Sequence, residues 1–257
     1  MNRQTVLCEV NDHIALVTMN HPPVNAQNRQ FHEDMMAVFD EISDRKDIRA
    51  AVLTGAGKCF SAGADIKGRA GRTMEAGESW GHNRRARECF HAIRECRKPV
   101  VAAINGPALG AGLAVAASCD ILVAADTAVV GLPEIDVGLL GGGRHAMRLF
   151  GHSRVRRMML TGYRVPGPEL YRLGVVEACV PGDRLMETAL GFAREIASKS
   201  PAAIRLAKQA LNTIEELSLR DGYRYEQNMT VELSGHPDSR EAMLAFAEKR
   251  APVFKGE

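Results

Sequence analysis

Within the 257-residue sequence, the stretch Lys98–Gly143 holds a glycine-rich turn followed by an acid, a pairing suited to chemistry beside a carbonyl group. The acid is Glu134, set among apolar neighbours in Leu132-Pro-Glu-Ile135. The turn is Leu109-Gly-Ala-Gly112, which runs into the small-residue segment Leu113-Ala-Val-Ala-Ala117. Glycines at a strand-to-helix junction let a ligand approach the backbone, and the unpaired amides of a helix start favour negative charge. Two rival motifs fail. A dinucleotide fingerprint would need Gly or Ala where Val115 stands. A P-loop would need Gly at Val52 and Ser or Thr at Cys59.

The elements that must position these groups can be read from pattern. Pro99–Ile104 is a short apolar, β-branched run ahead of Asn105-Gly-Pro107, which reads as a buried strand, with a buried helix as the alternative that periodicity alone leaves open. Val6–Val10 and Ile14–Met19, separated by Asn11-Asp-His13, predict a hairpin. Asn28 predicts a cap for a helix with Phe31, Met35, Val38, Phe39 and Ile42 on one stripe. Ala50–Thr54 predicts a strand closed by Gly55-Ala-Gly57, and 120–124 and 128–130 predict two more. Residues 68–83, rich in glycine and charge, read as a mobile loop or lid before a helix over 84–97. Beyond residue 143 the pattern turns helical: 145–150, 153–160, a helix opened by Pro181-Gly-Asp183, and one capped by Ser200-Pro201. Asp238 and Glu241 predict a capping box for the last helix. The expected class is α/β with a helical C-terminal part.

Composition narrows the function. With 46% hydrophobic residues a large core is expected, and a net charge of +2 gives no global bias toward nucleic acid or membrane. The apolar run 100–125 is interrupted by Asn105, Pro107, Ser118 and Asp120, which argues against a membrane span. Six cysteines without a C-x-x-C pair read as buried thiols, and the polar N-terminus does not read as a signal segment. A soluble cytoplasmic protein is expected, with no metal.

Phe60-Ser-Ala-Gly-Ala-Asp-Ile-Lys67, Asn105-Gly-Pro-Ala-Leu-Gly-Ala-Gly112, Cys119-Asp120 and Pro133-Glu-Ile135 stand in the order and spacing of the enoyl-CoA hydratase/isomerase (crotonase) family. The resemblance extends from the first hairpin to Phe246-Ala-Glu-Lys249 and Phe254-Lys255. It implies a crotonase-like spiral of ββα turns over residues 1–195 and a C-terminal helical trimerisation region over 196–257. A trimer or dimer of trimers would follow. The implied substrate is an acyl-CoA thioester, with coenzyme A entering as part of the substrate and no permanently bound cofactor. By position, the backbone N–H groups of Ala64 and Ala111 would hold the thioester oxygen as an enolate forms. Ala62, Asp65, Ile66 and Lys67 would contact CoA, as would Phe246 and Lys249, sometimes across a subunit boundary. For Phe246 and Lys249 the alternative is an ordinary amphipathic helix face.

One departure matters. Hydratases of the family use two glutamates around one water; the second matches Glu134, whereas the first position is Ala114. Positioned acid–base catalysis is worth roughly 10²–10⁴ in rate. Double-bond isomerisation or another single-base reaction is therefore as reasonable as hydration. A non-catalytic acyl-CoA- or partner-binding protein of the same fold is the alternative. Asp136, Gly142, Arg144 and His145 are candidate acyl-pocket residues, and Asp136 or His145 is a candidate replacement for the lost glutamate. The alternatives are a solvated Asp136 and a subunit contact or helix start for Arg144-His145. Trp80 and His82 either line the acyl pocket or close the loop. Arg69, Arg72, Arg84, Arg85 and Arg87 read as a solvated face.

Overall fold

The computed structural model describes residues 3–68, 71 and 73–254. Arg69, Arg72 and Lys255 lie outside them. Two strands, β1 (Val6–Asn11) and β2 (Ile14–Met19), form the expected hairpin. Its turn residues Asp12 and His13 both have positive φ (48° and 66°), the backbone twist that suits a two-residue hairpin loop. The strands β3 (Ala50–Gly55), β4 (Val100–Ile104), β6 (Ile121–Ala125) and β9 (Ala178–Val180) then add in parallel. The six-stranded order is β1-β2-β3-β4-β6-β9. All residues of β3 and β4 are buried, as expected of parallel strands covered on both faces.

A smaller layer lies beside this sheet, made of β5 (Ala108–Leu109), β7 (Val129–Gly131) and β8 (Arg164–Pro166). Isolated parallel bridges extend it, Ser61 to Ala108 and Gln27 to Ala64. The chain therefore repeats one motion: a strand of the large sheet, a short strand of the small layer, a helix. β4, β5 and α3 (Ala111–Ala117) make one such turn.

The first helix, α1 (Arg29–Asp44), starts where expected. Asn28 Oδ1 accepts from the Phe31 N–H at 2.8 Å, and the predicted stripe Phe31, Met35, Val38, Phe39 and Ile42 is buried. The second, α2 (Glu78–Glu95), begins six residues before the predicted start, so 78–83 are helix rather than lid. Gly81 and Asn83, poor helix formers, had masked that first turn; Gly77 precedes it at φ 86°. After α4 (Gly143–Leu149), α5 (His152–Thr161) and α6 (Gly167–Arg172), α7 (Leu185–Ala197) packs on β3, β4 and β6.

The C-terminal helices are α8 (Pro201–Ile214), α9 (Leu219–Ser234) and α10 (Pro237–Ala247). Ser200 caps α8 as expected, accepting from Ala203 N–H. The capping box for α10 is corrected. His236 is the cap, accepting from Asp238 N–H, while Asp238 accepts from Ser200 Oγ and Glu241 pairs with Arg250. Pro237 at the first helical position fixes the start one residue before the acid. No helix among the described residues is long and apolar enough to cross a membrane.

Candidate active site

The segment Ser61–Asp65 is held by polar staples. Asn25 donates to the carbonyls of Cys59 (2.8 Å) and Phe60 (3.2 Å), and Ser61 Oγ donates to Asn25 O at 2.8 Å. Ser61 N–H reaches Pro107 O, and Leu109 N–H reaches Ser61 O, both at 3.0 Å. Asn105 ties the ends of β3 and β4 by bonding both Gly55 N–H and Gly55 O. These bonds bring two chain crossings together at the tip of the spiral.

Gly63 and Gly110 permit the closeness. Gly63 has φ +89°, and a Cβ there would stand 2.5 Å from Leu109 O and 3.2 Å from Ala111 N. Ala64 and Ala111 thus lie on adjacent strands of chain. In the Gln27–Ala64 bridge the Gly63 carbonyl and the Asp65 N–H face Gln27, at 2.8 and 3.1 Å. Alternation along an extended segment then turns the Ala64 N–H to the opposite side. Ala111 is the first residue of α3, so its N–H has no partner within the helix. Among the described residues, neither N–H donates a hydrogen bond.

Glu134 sits in a 3-10 turn, Pro133–Val137, whose proline occupies a starting position that needs no N–H donor. Its carboxylate abuts Gly110: a side chain on that glycine, at φ +55°, would collide with Glu134 Oε1. Gly142 is also adjacent, since its Cβ would lie 3.9 Å from the same oxygen. Glu134 Oε2 is buried without a hydrogen-bond partner, and burial pushes the carboxyl above its usual pKa. An acid, two unpaired N–H groups and a turn too tight for any side chain therefore share one place.

The remaining sequence candidates scatter. Ala114 is buried one helical turn after Gly110. Asp136 is exposed and turned toward Gly162, away from the glycine turn; a Cβ at Gly162 would lie 2.8 Å from its Oδ2. Arg144 is exposed and pairs with Glu216 at 3.3 Å. His145 packs edge-on against Phe90 with ring centroids 5.1 Å apart. Burial, with Arg148, His91, Arg144 and Arg94 nearby, lowers its pKa to about 4, so it is neutral near pH 7. Asp65 is half-buried, whereas Ala62, Ile66 and Lys67 lie exposed on the outer side of the segment. Phe246 is 86% exposed on α10, and Lys249 follows that helix at φ 55°.

Two residues escaped the sequence reading. Gln27 lines a cavity beside Asp65, and so does Arg85, which was expected on a solvated face. Arg84 and Arg87 are exposed, but Arg85 points inward with Nε buried and unpartnered. His82 lines the same cavity, whereas Trp80 is 77% exposed. Helical spacing from His82 to Arg85 was the available signal, had the helix been extended to residue 78.

The chain resembles known proteins over nearly its full length. The pattern of the Enoyl-CoA hydratase/isomerase family matches residues 9–257. A probable enoyl-CoA hydratase of Mycobacterium tuberculosis is 36% identical, covering 99% of each chain. A (7aS)-7a-methyl-1,5-dioxo-2,3,5,6,7,7a-hexahydro-1H-indene-carboxyl-CoA hydrolase of Rhodococcus jostii is 37% identical over 94% of this chain and 93% of its own. The crystal structure of an enoyl-CoA hydratase from Bacillus anthracis superposes with a TM-score of 0.93 at 32% identity, covering 99% of this chain and 100% of the other.

Proposed function

The chain belongs to the enoyl-CoA hydratase/isomerase family, and on that premise we propose that it carries out single-carboxylate proton transfer on an acyl-CoA, with Glu134 as its acid and base. The observation that carries this reading is the Glu134 carboxylate against Gly110, with Oε2 buried and unpartnered next to two unpaired N–H groups. The atoms nearest a side chain placed on Gly110 all belong to the Glu134 carboxylate.

The chemistry follows from these positions. The thioester oxygen accepts from Ala64 N–H and Ala111 N–H, the latter at a helix start whose dipole favours negative charge. With a 3-enoyl-CoA, the Glu134 carboxylate takes a proton from C2. The C2–H electron pair moves into the C1–C2 bond, and negative charge collects on the thioester oxygen as a dienolate. Protonated Glu134 then returns the proton to C4, and the double bond comes to rest between C2 and C3. This isomerisation needs one carboxylate and no second acid. Burial suits Glu134 to it, because a raised pKa makes the carboxylate a stronger base toward carbon.

Hydration is the second reading, and the names of the relatives favour it. It would require Glu134 to take a proton from water and deliver one to C2 without help from position 114. The Rhodococcus relative, named a carboxyl-CoA hydrolase, indicates that this framework is not restricted to hydration. CoA would lie along the exposed side of Ala62, Ile66 and Lys67. A trimer or dimer of trimers fits the exposed Leu219, Tyr223 and Val231 on α9 and Phe246 on α10. That assembly would bury a partner's Phe246 and Lys249 or leave them free to reach CoA.

The test is a parallel assay of 3-hexenoyl-CoA isomerisation and crotonyl-CoA hydration, with Glu134→Gln as control. Isomerisation is expected to exceed hydration in the wild type, and Glu134→Gln to lower it by roughly 10²–10⁴ with the fold intact. Faster hydration than isomerisation would select the second reading. Near-normal turnover of both substrates by Glu134→Gln would remove Glu134 from the reaction.

A further inference from the structure

Buried polar atoms without partners gather on the inner side of the Ser61–Asp65 segment. Gln27 is 1% exposed and lines a cavity of about 390 Å³ with Asp65, Glu78, His82 and Arg85. Its amide orientation is fixed by bonding. Ser61 gives its only hydroxyl proton to Asn25 O at 2.8 Å, so it must accept from Gln27, whose Nε2 lies 3.1 Å away. Gln27 Oε1 is thereby left as a buried acceptor with no donor among the described residues. Among the described residues, Arg85 Nε is a buried donor with no acceptor.

His32, also 1% exposed, has both ring nitrogens unpartnered, and its ring stands 5.6 Å from that of His82. Burial, with His82 and Arg85 beside it, lowers its pKa to about 4, so near pH 7 it has one donor and one acceptor to offer. Leaving buried donors or acceptors without partners destabilises the fold. A cluster of them beside a catalytic segment makes sense when a ligand completes it.

We propose that this cavity receives a hydroxyl group carried by the acyl chain of the substrate, held by Gln27 Oε1 and Arg85 Nε. A hydroxyl both donates and accepts, which matches the free acceptor on Gln27 and the free donor on Arg85, the unpartnered residues that line the cavity, whereas His32 does not line it. A carboxylate would leave Gln27 Oε1 without a donor, and an ammonium would leave Arg85 Nε without an acceptor. The ionic lining is also balanced, with Arg29 and Arg85 against Asp65 and Glu78. The acyl chain rather than the CoA portion is the source because Gln27 and His32 face inward, whereas Ala62, Ile66 and Lys67 lie exposed on the outer side. Gln27 is bridged to Ala64 on the side opposite the Ala64 N–H, so the hydroxyl site lies across that segment from the place of the thioester carbonyl. This inference rests on the acyl-CoA reading above.

Binding without turnover tests it. Calorimetry would compare free CoA, S-hexyl-CoA thioether and S-(4-, 5- or 6-hydroxyhexyl)-CoA thioethers, for wild type, Gln27→Met and Arg85→Met. The expected result is at least one hydroxyhexyl thioether binding about tenfold or more tightly than the hexyl thioether. That ratio should fall to below about threefold in both variants, with free-CoA affinity unchanged. Arg85→Met serves as the second arm because Gln27→Met also removes the bond to Ser61; circular dichroism checks both folds. Equal binding of hexyl and all hydroxyhexyl thioethers would overturn the proposal while leaving the catalytic reading standing. A ratio unchanged in both variants would overturn it as well. Loss of free-CoA affinity in the variants would assign the cavity to the CoA portion and overturn the acyl assignment. No binding of free CoA or any thioether would overturn the acyl-CoA reading and this proposal together.

Discussion

The two ends of the site are built from different materials. At the glycine turn the groups beside Glu134 are backbone: two N–H donors at Ala64 and Ala111, and glycines where a Cβ has no room. At the Gln27 cavity the unpartnered groups are side chains, Gln27 from the loop before α1 and Arg85 from α2. Backbone donors tolerate changes of side chain but not of chain path. Side-chain groups can be exchanged singly without moving the path. On the proposed reading, reaction and selectivity are separable, and substitutions at the two ends should have different signatures.

The largest effect expected at the turn, after loss of the Glu134 carboxylate, is that of Gly110→Ala. The new Cβ meets the Glu134 carboxylate and also strains φ +55°, so both the acid and the Ala111 donor shift. Turnover should drop by roughly 10²–10³, as for loss of an oxyanion donor, on hexenoyl and hydroxyhexenoyl substrates alike. A drop confined to one substrate would break the separation of the two ends. Ala114→Glu sharpens the comparison in the other direction. Helical side chains lean toward the N-terminus, so a glutamate at 114 would reach back over Gly110 toward Glu134. The ratio of crotonyl-CoA hydration to 3-hexenoyl-CoA isomerisation should rise about tenfold. An unchanged ratio in a folded variant would show that a second carboxylate is not what hydration lacks here.

The smallest effect is on stability. Burial raises the folded pKa of Glu134 above its unfolded value, so its protonated form suits the fold better than its carboxylate. Stability from this group is complete below the ordinary carboxylate pKa and is lost as pH rises through the raised one. Glu134→Gln, permanently neutral, should therefore melt slightly higher than wild type at pH 7–8, with the difference vanishing near pH 4. Melting curves across that range measure it; a lower melting temperature at pH 8 would contradict the raised pKa.

The same contrast explains what could be read in advance. The glycine turn and the acid were legible because a glycine-rich turn and a carboxylate among apolar residues are local patterns, and the structure brings Gly110 and Glu134 together. The large sheet was legible for the same reason: buried strands such as Val100–Ile104 have a composition of their own. Gln27 and Arg85 were not, because their meaning depends on α1 and α2 facing each other across Asp65. Arg85 stood in a run with Arg84 and Arg87 that looked uniformly solvated, and glycines at 77 and 81 hid the start of its helix. α9 and the two-residue β5 also went unread; α9 buries only Gly222 among its own residues, so it lacks the apolar stripe that marks a helix in sequence.

The central claim is that Glu134 alone moves the proton while two backbone N–H groups hold the charge. Its most direct test is 3-hexenoyl-CoA in deuterium oxide, followed by mass spectrometry for deuterium at C2 and C4, with wild type and Glu134→Gln. The account predicts conversion to 2-hexenoyl-CoA with the C2 hydrogen carried to C4 and little deuterium taken up per turnover, and loss of conversion by roughly 10²–10⁴ in the variant. Conversion or exchange at near wild-type rate in folded Glu134→Gln would contradict it.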